Sequence, residues 1–250
     1  MSDKVKKLLA EAPLSKQALD TLDVVDVGAQ IQAGLGVTID DVAASEVVLL
    51  TMMPDDSQSI AAAGNTTAVR DGHNFVIDAL GASKQSGEVL AHTRYLNGHV
   101  LFPYTALAHA VPMTAANYNP CHGTPLFDQS VVLLGTVIAK SQELAQAGIA
   151  VRTVTLIITD GGDYGSTRCR PADVAAIVAD MLAQENHIVA AMGINDGTTD
   201  FKQVFRSMGI PDRWILTPGN SASEIRRAFQ VFSQSAVRAT QGLQLGGFSN

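Results

Sequence analysis

Two apolar runs, Val47-Val48-Leu49-Leu50-Thr51-Met52-Met53 and Val154-Thr155-Leu156-Ile157-Ile158, each end two positions before an aspartate. Runs this short and unbroken read as strands covered on both faces, and such strands need a layer of helices on each side of their sheet. The intervening segments supply those helices. Residues 65–80 place Val69, Val76 and Leu80 on one face, and residues 124–147 repeat apolar side chains through Val131, Leu134 and Ile138. Pro171, a good first helical residue, opens a segment carrying Val174, Ile177, Val178, Met181 and Leu182 at helical spacing. Ser221 or Ser223 caps a last helix carrying Ile225, Phe229, Phe232 and Val237, and further strands are expected over 188–193 and 213–217. Strands alternating with helices predict an α/β fold, a three-layer sandwich with a central, mainly parallel sheet and helices on both faces.

Asn97-Gly98, flanked by strand candidates over 88–96 and 99–102, is a two-residue hairpin signal, so one antiparallel strand is expected in this otherwise parallel sheet. Residues 111–122, with Pro112, Asn117, Asn119 and Pro120, read as a loop. Residues 1–44 form an N-terminal helical extension: a short helix over 4–10, then one capped by Ser15 and carrying Leu19, Leu22, Val25, Ala29 and Ile31, ending near Gly34 and Gly36. The default for this arm is packing on the domain, with docking of a partner as the alternative. The domain itself is expected over 45–238, followed by a flexible tail over 239–250.

Three loops of this framework carry oxygen-bearing side chains: Asp55, Ser57 and Ser59 after the first strand, Thr124 before Pro125, and Asp160 after the strand 154–158. Two carboxylates and three hydroxyls make a hard-oxygen set suited to Mg²⁺ or Mn²⁺, too weakly charged to satisfy the ion alone. In open α/β sheets ligands gather outside the carboxyl ends of the strands, where both aspartates fall. Each fragment also has a plainer reading: Ser57, Ser59 or Thr124 as a helix cap, and Asp160-Gly161-Gly162 as a turn.

Asp-x-Ser-x-Ser, then Gly123-Thr124-Pro125-Leu126, then Thr159-Asp160-Gly161 after a strand resembles the von Willebrand factor type A (VWA) domain and its metal-ion-dependent adhesion site, over roughly residues 45–238. The resemblance implies that Ser57, Ser59 and Thr124 touch the metal directly, that Asp55 and Asp160 act mostly through water, and that a partner's Asp or Glu carboxylate completes the shell. It also implies one short antiparallel edge strand at about the position of the hairpin. Pro54 interrupts the strand just before Asp55, and Asp56 adds a carboxylate at a variable position, to which no ligand role is assigned. Tyr164, Arg168 and Arg170 in the loop after Asp160 are residue types that anchor interfaces, and His122 could overhang the metal. The function implied is a metal-dependent protein-binding module, an adaptor or scaffold of the kind that serves chaperone-like ATPases among other partners.

The alternative is a Mg²⁺-dependent phosphatase or phosphotransferase. Ser57, not a second acid, stands two residues after Asp55, and no lysine adjoins any of the three loops; Lys140 and Lys202 are distant in sequence. Neither a Gly-x-Ser-x-Gly elbow nor a phosphate loop ending Gly-Lys-Ser/Thr is present, so no enzymatic activity is expected. A net charge of −7 argues against a nucleic-acid surface. No apolar run is long enough to span a bilayer and residues 1–11 lack a signal-peptide core, so a cytoplasmic protein is expected. Cys121 and Cys169 read as free thiols in a reducing compartment, although each lies near a metal loop and the two could approach one another.

Overall fold

The computed structural model describes residues 2–23, 25–83, 86–241 and 246–248. In chain order the elements are α1 (Asp3–Glu11), α2 (Lys16–Leu22), α3 (Val25–Gly34), β1 (Glu46–Met53), α4 (Gln58–Ala62), α5 (Thr66–Gly81), β2 (Val89–Arg94), β3 (Val100–Ala106), α6 (Leu126–Gln146), β4 (Ala150–Thr159), α7 (Pro171–Ala183), β5 (His187–Gly193), α8 (Phe201–Ser207), β6 (Ile215–Leu216) and α9 (Ala222–Thr240). The strands form one sheet in the order β3-β2-β1-β4-β5-β6. Every neighbouring pair is parallel except β2 with β3, the hairpin turned by Asn97-Gly98, where Gly98 adopts φ +95°. The order reverses between β1 and β4, because the chain runs outward from β1 to one edge and returns to β4 to build the other. That reversal opens a crevice at the carboxyl ends of β1 and β4.

Helices α5 and α9 pack together on one face of the sheet, and α6 and α7 cover the other. The core runs through both layers, from Leu50, Met52, Leu156 and Ile158 on the strands to Val69, Val76, Phe229 and Phe232 on one side and Leu133, Val137, Ile177 and Val178 on the other. The N-terminal arm packs on α6 and α7 as a further layer, burying Val5, Leu8, Leu9, Leu22 and Ile31 in the same core. It explains why α6 is buried on nearly all sides, down to Lys140 and Glu143. Lys140 Nζ donates to the Val37 carbonyl at 2.5 Å and to Glu143 Oε2 at 2.7 Å, and Lys4 of α1 pairs with the same glutamate.

Several local expectations need correction. The single helix expected from Ser15 onward is two: Ser15 caps α2, which ends at Leu22 with Asp23 as its cap, and α3 is separate. The break lets the arm wrap α6, for Leu22 and Ile31 converge on Gly135, where an added Cβ would lie 2.7 Å from each. Thr124 does not open the long helix. Thr124 sits in a two-residue bridge with Tyr164, Pro125 is the cap rather than the first helical residue, and α6 starts at Leu126. The last strand shrinks to Ile215–Leu216 behind a 3₁₀ turn, while α4 and α8 were not foreseen. Of the tail expected to be flexible, 242–245 and 249–250 lie outside the described residues, as does the side chain of Val25. Phe248 packs its ring 5.2 Å from that of Trp214, and its N–H donates to the Arg213 carbonyl.

Candidate metal centre at the crevice

Pro54 follows β1 and ends its pairing, since proline has no N–H to give a ladder. The chain therefore leaves the sheet at Asp55, whose side chain turns inward and is fully buried. Asp55 Oδ1 accepts the Ser57 N–H at 2.7 Å, and Oδ2 accepts the Thr159 hydroxyl at 2.8 Å and the Asp160 N–H at 3.3 Å. One carboxylate thus ties the end of β1 to the end of β4. The second link runs through hydroxyls: Ser57 Oγ lies 2.8 Å from Ser59 Oγ, which donates to Asp160 Oδ1 at 2.6 Å. Ser57 occupies the cap position of α4, yet its hydroxyl makes no capping bond and faces this chain of oxygens instead.

The loop carrying Thr124 is attached by main chain. Cys121 and His122 N–H both donate to the Asp56 carbonyl, Gln58 N–H donates to the His122 carbonyl, and Thr124 exchanges two hydrogen bonds with Tyr164. These bridges, Ser57 with His122 and Thr124 with Tyr164, clamp the middle loop between the other two. Thr124 is buried, and its hydroxyl makes no hydrogen bond among the described residues.

Asp55, Ser57, Ser59 and Asp160 are therefore in one bonded network, with Thr124 fixed in the loop beside it. Burial raises the pKa of Asp55 and lifts that of Asp160 to about 6, the latter also through repulsion from Asp55 and Asp196. The groups acting most strongly on these two carboxyls are hydroxyls, backbone N–H and other carboxylates; no lysine or arginine is among them. Buried acids without a basic partner are costly, and either protonation or a divalent cation would relieve them. Among the described residues no three His, Cys, Asp or Glu side chains form a ready-made metal cluster, so an ion here would rest on hydroxyls as well as carboxylates. The donor set fits Mg²⁺ or Mn²⁺ on those terms.

The residues proposed to flank the metal separate. Tyr164 is 80% exposed at the rim, with its backbone bridged to Thr124. His122 is exposed, its Nε2 3.9 Å from Asp56 Oδ2. Arg168 instead lines a groove with Lys16, Asp20 and Asp173, between the arm and the start of α7, and Arg170 is the cap residue of α7, its N–H bonded to Asp173. Cys121 and Cys169 are both free. Sequence reasoning passed over Thr159, whose hydroxyl supports Asp55, and Tyr118, whose hydroxyl donates to the Asp55 carbonyl. Nothing in the sequence marks Tyr118, since the loop bringing it there has no periodicity. Thr159 could have been found, because it immediately precedes Asp160 at the end of an apolar strand.

With this geometry in place, known structures supply the comparison. The open form of SpaC, a pilus adhesin from Lactobacillus rhamnosus GG, overlays with a TM-score of 0.54 at 14% identity, over 78% of this chain and 30% of that one. Proximal thread matrix protein 1 from the mussel byssus overlays with a TM-score of 0.51 at 14% identity, over 77% and 46%. The fold is VWA-like. The SpRpn10 VWA domain overlays more loosely, with a TM-score of 0.44 at 10% identity, over 73% of this chain and 93% of that one. This chain spans less than half the length of the adhesin or the byssus protein. No sequence family and no curated protein matches it.

Proposed function

We propose that this VWA-like chain is a protein-binding module whose crevice takes Mg²⁺ or Mn²⁺ and presents it to an Asp or Glu carboxylate of a partner. The observation carrying this reading is the unbroken run of oxygens from Ser57 through Ser59 to Asp160, set against the buried Asp55 with no basic side chain among its strongest neighbours. Ser57, Ser59 and Thr124 would hold the ion directly, and Asp55 and Asp160 would act through water or by aligning the hydroxyls. The ion would supply an electrophilic position for an incoming oxygen. The exposed Tyr164 would add apolar contact at the rim. That SpaC is by its name a pilus adhesin agrees with a role in adhesion or assembly. A partner in a chaperone-like ATPase and a cytoplasmic location are further parts of the proposal.

An enzymatic role is the weaker reading. Phosphoryl transfer needs positive charge beside the metal, and Lys140 is buried under the arm, bonded to the Val37 carbonyl and Glu143, while Lys202 is among the charges acting on Asp212, in the turn after α8. The test is calorimetric titration of Mn²⁺ into the protein and into a Ser57→Ala, Thr124→Ala double variant. The expected result is loss of the binding heat with an unchanged circular-dichroism spectrum. Undiminished heat in the variant would overturn the assignment.

A further inference from the structure

Beside the proposed metal position lies a separate cavity of about 390 Å³, lined by Asp56, Tyr95, Asn97, His99, Asn119, Cys121 and His122 among others. It is at the small end of the range for ligand pockets, the size for one side chain rather than a cofactor. Asp56 follows Asp55 in sequence but faces the other way. Its Oδ1 accepts the Asn97 N–H at 3.0 Å, and its Oδ2 has His122 Nε2 no closer than 3.9 Å. The carboxyl is 2% exposed. An independent observation comes from Tyr95, which is 3% exposed and whose buried hydroxyl has no hydrogen-bond partner among the described residues. Orphaned buried hydroxyls are uncommon and cost stability, so each asks for a missing partner. The Tyr95 ring itself stands 5.8 Å from His99 in a stacked pair and 5.4 Å from Tyr118, giving the wall an aromatic surface.

We propose that this cavity binds a cationic side chain, lysine or arginine, of the same partner whose carboxylate meets the metal. A buried carboxylate, an unpaired phenol and an aromatic wall are the groups that hold an ammonium or guanidinium: charge-assisted hydrogen bonds to the oxygens, and attraction of the charged head to a ring face. The cavity begins one residue from Asp55 and Ser57, so the determinant recognised is an acid and a base presented side by side. The inference deepens the reading of the metal site and rests on it for the acidic half, while the basic half stands on its own residues. Specificity is the gain. A metal and one carboxylate would accept any exposed Asp or Glu, whereas leaving Asp56 without its counter-charge penalises partners that lack the base.

The two halves are tested separately. In EDTA, argininamide is titrated into ¹⁵N-labelled protein against its neutral isostere citrullinamide, following the backbone signals of Asn97, His99 and Asn119. Saturable shifts at these signals are expected for argininamide, with at least ten-fold weaker response to citrullinamide. Asp56→Asn should remove that difference, and Tyr95→Phe should narrow it without changing the fold. Equal responses to the two amides, or shifts mapping elsewhere, would overturn the cationic subsite. A second titration in Mn²⁺ uses short capped peptides carrying one glutamate with either arginine or citrulline nearby. Tighter binding of the arginine peptide is the expected result, with both peptides weakened in EDTA while the preference for arginine persists. If argininamide binds as predicted but neither peptide responds to Mn²⁺, the subsite stands and the metal-bridged function falls.

Discussion

Asp160 shows what the site costs the metal-free protein. Its pKa is lifted from 3.8 to about 6, chiefly by burial. The folded chain therefore holds a proton there that the unfolded chain releases, and stability falls as pH rises through that window. Asp160→Asn keeps an oxygen to accept the Ser59 hydroxyl and removes the charge, so in EDTA at pH 8 its melting temperature should exceed that of the wild type. The same substitution should abolish any rise in melting temperature on adding Mn²⁺; calorimetry with and without EDTA reads both. A lower melting point for the variant in EDTA would show that the carboxylate is already compensated. Thr159 is the complementary case. Its hydroxyl ties Asp55 to the main chain of Gly161, and Thr159→Val preserves shape while deleting those bonds. Loss of such supporting partners weakens metal binding by about 10–100-fold, a change that Mn²⁺ titration would register.

At the scale of elements, α5 and α9 approach each other closely on one face of the sheet. Gly72 of α5 is the point of approach: a Cβ there would meet the Phe229 ring of α9 at 2.1 Å, and Phe229 is fully buried with nowhere to retreat. Gly72→Ala should therefore destabilise the fold by about 1–3 kcal/mol, the usual range for overpacking a filled core. Urea denaturation should show a lower midpoint with an unchanged slope. A midpoint equal to wild type would mean that α5 and α9 slide apart freely. The hairpin shows another dependence among elements. Arg94, at the end of β2, is wholly buried with carbonyls as its partners, Gly98 at 3.1 Å and Gln30 at 3.5 Å. The second of these belongs to α3, so the arm finishes the environment of a cation that the sheet alone would leave bare. Burial lowers its pKa to about 10, still far above neutrality.

For the molecule as a whole, three buried histidines set the response to acid. His73, His92 and His187 have pKa values of about 4, 3 and 4 because burial disfavours their charged forms. The unfolded chain takes up these protons near pH 6.5, so their contribution is complete above that value and is lost as pH falls toward 4. Asp160 and Asp56, both lifted to about 6 by burial, and Asp55, also raised, work in the opposite sense over part of the window. The melting temperature of metal-free protein should fall between pH 7 and pH 5, and fall more steeply in Asp160→Asn, where part of the opposing contribution is gone; parallel profiles would contradict this. Much of the architecture was legible without coordinates. The apolar runs 47–53 and 154–158, the Asn97-Gly98 turn and the Ser15 and Ser221 caps are local signals, because strand burial, turn geometry and capping depend on residues close in sequence. The five oxygen-bearing residues that meet at the crevice were equally visible, since side-chain chemistry and position after a strand are written locally. Tertiary structure alone decided the rest: that Thr124 is bridged to Tyr164 rather than capping α6, that Arg168 faces the arm, that the arm breaks at Asp23 to cover α6, and that Asp56 opens onto a cavity of its own. Each of those depends on contacts between segments far apart in the chain, and no local pattern of residues encodes the distance between them.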